Sequence, residues 1–505
     1  MPASQIKIGA LLSYVVLTLN NLVGLLYTPF MLHMMGKSEY GLYSIAASIV
    51  AYLTILDLGF SNAVVRYTAK FRAENRQEEQ YKMFGMFFLL YCGIGIITLL
   101  AGSILYINAE SIFDSSMTSN ELSRTKAILL LMILNLSITF PFSIFGSIIT
   151  AYEQFVFQKI IAILRIVLNT ATMVVLLNMG YKALAMVVVA TIFNLLTLGT
   201  NFLYCKYNLK IKLIFSKFQW HFLKEISIYS FWIFLNAIMD NIYWSSGQII
   251  LGAMAGTAVV AVYAIAIQLQ NIYMSFSTAI NGLFLPQMTA LVVKGDNKVA
   301  ISDIFIKIGR LQYCIMALIL SGFFLFGKQF IELWAGKGYD QAYTIALLFF
   351  LALTIPLIQN MGIVILQARN QMKFRCLTFL GISLSSLAFQ IPLSKHYGGI
   401  GCATAIAIAL LLGQGIIMNI YYQRKQKINI IRFWFEIFKM SIIPAILTVV
   451  AYQILQHYSL DSIAKLTAGI TLYLVAYTPL FIALSMNSYE KNLILKPIKK
   501  FIREV

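Results

Sequence analysis

Charge is what this sequence lacks most. Only 11% of its 505 residues are Asp, Glu, Lys or Arg, while 60% are hydrophobic; soluble domains run near 25% and 45–50%. That imbalance excludes a water-soluble fold, because too little polar surface remains to cover the apolar residues. Cysteine is sparse as well. Cys92, Cys205, Cys314, Cys376 and Cys402 lie within apolar runs or at their ends. They form no set of spaced pairs, so no structural disulfide is expected. The four histidines, His33, His221, His396 and His457, are scattered and show no H-E-x-x-H spacing, so neither a metal site nor another cofactor is expected. A phosphate-cradling loop is missing too. Gly36-Lys37-Ser38 has the end of a Walker A, but Met31 stands where its first glycine belongs, so the triplet reads as a turn.

What the chain has instead is long apolar runs. They read as helices near 9–32, 41–65, 83–107, 126–150, 160–179, 183–204, 226–254, 258–290, 309–334, 341–368, 376–394, 398–422, 440–458 and 464–486. A hydrocarbon core of about 30 Å needs about 20 such residues per crossing. The fold class is therefore an all-α integral membrane protein with about fourteen transmembrane helices. A β-barrel would show short segments of strict alternation, and none is seen. The first run lacks a small-residue cleavage site and is too long for a signal peptide, so it is expected to be the first span.

The net charge of +19 does not point to nucleic acid, because the cations cluster in the short gaps between runs. With the N-terminus inside, one side receives Arg66, Lys70, Arg72, Arg76 and Lys82. It also receives Lys206, Lys210, Lys212, Lys217 and Lys224, then Lys294, Lys298, Lys307 and Arg310, then Arg369, Lys373 and Arg375. Arg424, Lys425, Lys427, Arg432 and Lys439 follow, and the tail adds Lys491, Lys496, Lys499, Lys500 and Arg503. Cytoplasmic loops carry such an excess, so both termini are expected in the cytoplasm. No gap is long enough for a large external domain.

The chain also repeats itself. Gly36, Tyr43, Ile45 and Ala46 fall on Gly256, Tyr263, Ile265 and Ala266 without a gap. Thr139-Phe140-Pro141 matches Thr354-Ile355-Pro356, and Ala151, Gln154 and Phe157 match Ala368, Gln371 and Phe374. These echoes divide the chain into two six-helix lobes, 1–205 and 206–423, and a segment 424–505 with two added helices. Six crossings return the chain to the side it left, so the repeat is parallel, about an axis along the membrane normal.

Polar residues inside spans carry the functional reading, since an ionisable group at a helix centre costs about 2.5–3.5 kcal/mol on insertion scales. Asn236, Asp240, Trp244 and Gln248 recur every four residues and share one helix face. Arg165 aligns with Asn169 and Thr172, and Gln268 with Asn271 and Ser275. Gln359 and Asn360 follow Pro356, while Asp57 and Arg66 lie on the second span. A single Asn or Gln is more often a stitch between helices. For Arg165 and Asp240 a hydrated cavity is expected, with Arg165 and Arg66 facing an anion and Asp57 or Asp240 taking a cation or proton.

Gly36-Lys37-Ser38-Glu39-Tyr40-Gly41-Leu42-Tyr43, then Leu56-Asp57-Leu58-Gly59-Phe60-Ser61-Asn62-Ala63 and Arg66, resembles the opening of the Wzx-type polysaccharide and O-antigen flippases. These belong to the multidrug/oligosaccharidyl-lipid/polysaccharide exporter superfamily, which includes the MATE transporters. The second half answers with Ile250-Leu251-Gly252, Gly256 to Tyr263 and Leu285-Pro286-Gln287. The resemblance implies two six-helix lobes with two further helices. It also implies a non-enzymatic flippase that moves undecaprenyl-pyrophosphate-linked oligosaccharide across the bacterial plasma membrane by alternating access. Its implied partners are the lipid-linked oligosaccharide, membrane lipids and the polymerase and assembly proteins of lipopolysaccharide or other surface glycans, with the chain itself a monomer and no nucleic acid involved. A lipid II flippase and a cation-coupled drug exporter are the nearest alternatives. A membrane enzyme of polysaccharide assembly would need an outer loop, a soluble domain or an Asp-x-Asp motif that the sequence lacks.

Overall fold

The structure is a computed structural model that describes residues 3–114, 116–215, 220–293, 298–369 and 371–492. Lys217, Lys294, Lys496, Lys499, Lys500 and Arg503 lie outside the described residues, as do the side chains of Leu285, Pro286 and Gln287. Every regular element is helical among the described residues. The first are α1 (Ala3–Leu53), α2 (Phe60–Ala73), α3 (Gln77–Phe113), α4 (Ser119–Ala151), α5 (Phe155–Asn178) and α6 (Ala183–Tyr207). Then come α7 (Trp220–Trp244), α8 (Ser246–Ala255), α9 (Thr257–Val293), α10 (Lys298–Ala335), α11 (Gln341–Ile358) and α12 (Met361–Ala368). The last are α13 (Met372–Leu410), α14 (Met418–Arg424), α15 (Ile430–Leu455) and α16 (Ile463–Leu484).

These elements make the expected fourteen crossings. Eleven continuous helical stretches are long and apolar enough to span. Two of them, Leu11–Ala73 and Met372–Arg424, each hold two crossings, because α1 is parted at Gly36 and α13 at Gly398. The seventh crossing is α7 with α8. Backbone groups find no partner in hydrocarbon, so a helix, which satisfies its own, is the simplest way across.

The chain divides into two compact units, 1–264 with 394–399, and 265–393 with 400–505. In the first, an aromatic core joins α2, α3, α4 and α7 around Phe60, Phe84, Phe87, Tyr91, Phe140 and Phe145. Phe145 meets Phe202 edge to face at 5.0 Å. Glycine permits the tightest approaches: a Cβ on Gly95 would stand 2.6 Å from the Ser137 carbonyl, and one on Gly85 would strike the Ile214 carbonyl.

The repeat read from the sequence is visible in the backbone. Gly36 has φ 81°, ψ 170° and Gly256 has φ 82°, ψ 173°, a region that only glycine enters without strain. Within the first unit Phe157 stacks on Tyr204 at 3.8 Å, and within the second Phe374 stacks on Tyr421 at 4.1 Å. The Tyr204 hydroxyl donates to Gln154 at 3.2 Å, and Gln426 donates to both Gln371 and the Tyr421 hydroxyl, at 2.7 and 3.1 Å. The paired threonines are both bonded, but by different groups from non-equivalent helices. Asn194 donates to Thr139 at 2.7 Å, and the Tyr273 and Thr354 hydroxyls share a 2.7 Å bond.

The two added helices, α15 and α16, are held to α10 by an apolar seam through Phe326, Met440, Tyr473, Tyr477 and Phe481. One ion cluster fixes their register. Arg310 donates Nε and Nη2 to the two Glu490 oxygens at 2.6 and 2.9 Å, and Nη1 to Glu436 at 2.7 Å. Arg310 is buried and Glu490 has no exposed surface. The sequence groups Arg310 with the loop cations, yet α10 starts at Lys298 and carries it three turns inward. Breaking a buried pair from one side leaves an uncompensated charge and costs about 3–5 kcal/mol. Arg310→Leu should therefore lower the thermal midpoint of the detergent-solubilised chain sharply, and Arg310→Met with Glu490→Met should recover most of the loss. Equal midpoints for wild type and Arg310→Leu would remove this cluster as a fixing point.

Candidate functional site

The first unit contains a polar cavity of about 500 Å³ between α1, α5 and α6. It opens between Asn20 of α1, Gln158, Arg165 and Asn169 of α5, and Thr197 and Asn201 of α6. Gln158 and Asn201 lie near the α5 start and the α6 end, so the cavity occupies the half of the membrane nearer the chain's N-terminus. Gln158 is fixed by donating to the Gly146 carbonyl at 2.7 Å and to Thr150 at 2.9 Å. Asn169 donates only to the Met173 sulfur at 3.7 Å, and its buried Oδ1 has no partner among the described residues. Arg165 is exposed to the cavity, and no ion pair or hydrogen bond holds its guanidinium among the described residues. A charged fork with free donors, ringed by amides inside a membrane span, is chemically suited to a phosphate or carboxylate.

The other expected residues fall into two groups. Gln359 is buried and donates to Asn419 at 2.8 Å, and Asn360 donates to Ser277 at 3.1 Å. Asn419 also accepts from the Trp434 indole at 2.9 Å and donates to the Gln414 and Gly415 carbonyls at 2.8 and 2.9 Å. Those carbonyls belong to a π-helical turn, Leu411–Ile417, whose wider winding frees them from the usual ladder. Gln248 is buried and accepts from Ser48. By contrast Arg66, Asp240 and Asn271 are exposed, while Asn236, Trp244 and Gln268 are half-buried. Asp57 accepts from Ser61 and Tyr91 at 3.0 and 2.9 Å.

A second cluster lies on the opposite side, at residues the sequence reading passed over. Thr118 caps α4 in a capping box: Glu121 N donates to Thr118 Oγ1 at 3.3 Å, and Glu121 Oε2 accepts from Thr118 N at 3.0 Å. The second carboxylate oxygen, Oε1, accepts from Ser38 and from Thr257 Oγ1, the latter at 3.0 Å. Ser38 and Thr257 follow Gly36 and Gly256, so one carboxylate gathers the equivalent turns of both repeats. One turn further along α4, Arg124 pairs with the buried Glu39. Ser116 Oγ donates to the Gly252 carbonyl at 2.6 Å, and Tyr52 bonds Ser246. Gly41 packs against the Thr257 backbone so closely that a Cβ would overlap it. The available signal was the matched glycines, which mark two turns but not the carboxylate that joins them.

These helices define a polytopic, all-helical membrane protein. The chain belongs to the polysaccharide biosynthesis protein family, whose sequence signature matches residues 7–292. Its fold is similar to a solved lipid II flippase MurJ in an inward closed conformation, with a TM-score of 0.70 at 18% identity, covering 94% of this chain and 99% of that one. It is also similar to an inward-facing multidrug resistance MATE family transporter of the MOP superfamily, with a TM-score of 0.59 at 13% identity, over 80% and 99%. The solved MATE multidrug transporter DinF-BH gives a TM-score of 0.59 at 16% identity, over 84% and 96%. No curated protein sequence matches the chain. The family and the fold agree with the resemblance read from the sequence.

The Glu121 cluster makes a prediction. Hydrogen bonds to a charged group are worth about 1.5–3 kcal/mol each, so Glu121→Ala should raise the open population of these turns about tenfold or more. Labelling of a cysteine placed at the buried Thr257, by an impermeant maleimide, should rise accordingly. Unchanged labelling would mean that Glu121 does not hold the turns together.

Proposed function

We propose that the chain is a flippase for a lipid-linked oligosaccharide, an undecaprenyl-pyrophosphate-linked repeat unit, in the bacterial plasma membrane with both termini cytoplasmic. The observation that carries this reading is Arg165, a guanidinium without a partner among the described residues, in a polar cavity on the N-terminal side. A pyrophosphate entering from the cytoplasm offers the paired oxygens that such a fork binds. Asn20, Asn169 and Asn201 surround the arginine with groups that suit sugar hydroxyls. The lipid chain needs no site of its own, since it stays in hydrocarbon. The Glu121 cluster then closes the far side while the cavity loads, which is one half of an alternating-access cycle. The exposed Asp240 and Asn271 and the half-buried Asn236, Trp244 and Gln268 are further candidates to meet the substrate along its path.

The fold likeness to a lipid II flippase supports a second reading, in which the cargo carries a peptidoglycan headgroup. The pyrophosphate is common to both, so Arg165 serves either. The family match to polysaccharide biosynthesis favours the surface-glycan cargo, made by glycosyltransferases and passed on to a polymerase.

Deleting the gene from its native cell should abolish the surface glycan and accumulate its lipid-linked precursor. Complementation with Arg165→Gln should restore export at roughly one-tenth to one-hundredth of the wild-type rate, the loss of one charged hydrogen-bonding group; Arg165→Lys should fall between. Unchanged glycan after deletion would remove this reading, and a block in peptidoglycan synthesis would favour the second one.

A further inference from the structure

Residues 208–215, between α6 and α7, form an irregular strap along the flank of the first unit. Its side chains alternate. Leu209, Ile211 and Leu213 pack on the aromatic core, while Lys210 and Lys212 are exposed, as is Lys206 in the last turn of α6. Ile214 N donates to the Tyr81 carbonyl at 3.2 Å, and the Ile214 carbonyl lies against Gly85. Those contacts set the depth of the strap. Tyr81 and Gly85 stand about one and two turns inside α3, which starts at Gln77. The first large apolar side chain that α3 exposes is Leu89, one turn further on. The strap therefore runs at the level of the lipid headgroups, just outside the hydrocarbon.

Charge there is of one sign. From Lys206 to Lys224 the sequence holds five lysines and no Asp or Glu. The acids at the nearby ends of α2 and α3 are already taken, since Arg76 pairs with Glu74 and Glu79, and Lys82 with Glu78. No ion pair holds Lys206, Lys210 or Lys212 among the described residues. The backbone adds open donors: the N–H groups of Lys210, Lys212 and Leu213 make no hydrogen bond among the described residues. Three large rings flank the lysines. Tyr207 is 65% exposed, Phe215 58% and Trp220, at the start of α7, 73%. Exposed aromatic rings of this kind belong where one side is apolar and the other wet.

We propose that the strap is a binding site for anionic phospholipid headgroups, in the leaflet on the side of the chain's N-terminus. The lysines and the open backbone N–H groups both donate to phosphate oxygens, and Tyr207, Phe215 and Trp220 lie among the glycerol and upper acyl carbons. Lysines near an anionic surface add attraction one by one, and that attraction weakens with salt. An acidic protein would also meet the lysines, but it would leave three large rings in water. The inward leucines and isoleucine hold the backbone to the bundle, so the lysines are presented in a fixed row. The site does not depend on which cargo is carried, so it stands or falls separately from the glycan reading.

The test uses the full chain in nanodiscs, with Trp232, Trp244, Trp334 and Trp434 replaced by Phe so that Trp220 alone reports. Brominated phosphatidylglycerol should quench Trp220 at about one-fifth the mole fraction that brominated phosphatidylcholine needs, the effect of roughly one well-placed lysine or more. Molar salt should erase most of that preference, and so should Gln at Lys206, Lys210 and Lys212 together. Gln at Arg424, Lys425 and Lys427, three exposed cations of the second unit, should leave it unchanged. With all tryptophans kept, native mass spectrometry should show less retained phosphatidylglycerol in the strap variant than in wild type, which decides the matter if the four Phe replacements unfold the chain. Equal quenching by the two lipids, or a preference and a retention that ignore the strap lysines, overturns the site and leaves those lysines to an acidic protein. An equal loss in the Arg424, Lys425 and Lys427 variant overturns it in favour of the general charge of that side. Absence of quenching by either lipid overturns the depth assigned to the strap.

Discussion

Hydrocarbon offers a peptide group no hydrogen-bond partner, so each departure from helix inside the spans must be answered by protein. Three departures among the described residues have a clear answer. The π-helical turn at Leu411–Ile417 frees carbonyls that the Asn419 side chain takes up, and Asn419 is fixed in turn by Gln359 and Trp434. The left-handed pair Leu58–Gly59 is braced by Asp57 through Ser61 and Tyr91. The turns at Gly36 and Gly256 are gathered by Glu121. Some polar side chains in these spans therefore mark a place where the backbone leaves the helical ladder, and others, such as Asn194, join one helix to the next.

Arg165 fits neither role. Gln248 and Asn360 are polar residues in spans whose partners are other protein groups, and Gln359 donates to Asn419 although its buried Oε1 has no partner among the described residues. Arg165 and Asn169 face a cavity with polar atoms still open. The repeat sharpens the contrast. In the register that sets Gln154 and Phe157 on Gln371 and Phe374, Arg165 falls on Ile382 and Asn169 on Ser386. Both repeats keep the turn glycine and the Phe–Tyr stack, but the cationic position exists only in the first.

Much of this architecture was legible in the sequence, for a physical reason. Apolar length sets the crossings, and a glycine in a conformation closed to other residues leaves a mark that recurs at matched positions, as Gly36 and Gly256 show. The breaks were less legible. The second span reads as one apolar run over 41–65, because Leu58 is as apolar as its neighbours and only the backbone reveals its left-handed turn. Arg310 read as a loop cation because hydropathy does not foresee two glutamates, Glu436 and Glu490, arriving from distant segments. Glu121 was hidden because its partners Ser38 and Thr257 are ordinary polar residues at helix starts, made significant only by the fold.

The first unit holds the arginine cavity, the Asp57 break and the Glu121 cluster together, and their order along the membrane is informative. The cavity lies in the half nearer the N-terminus, and the Glu121 cluster lies at the opposite end. Asp57 sits on a span whose two ends are tied differently. Toward the cluster, α1 beyond Gly36 is fixed by Glu39–Arg124, Ser48–Gln248 and Tyr52–Ser246. Beyond the break, α2 is gripped by aromatic packing through Phe60, Tyr67 and Phe71, and Arg72 lies over the Tyr152 ring at 4.1 Å. A span anchored at both ends and broken between them concentrates any relative motion at the break.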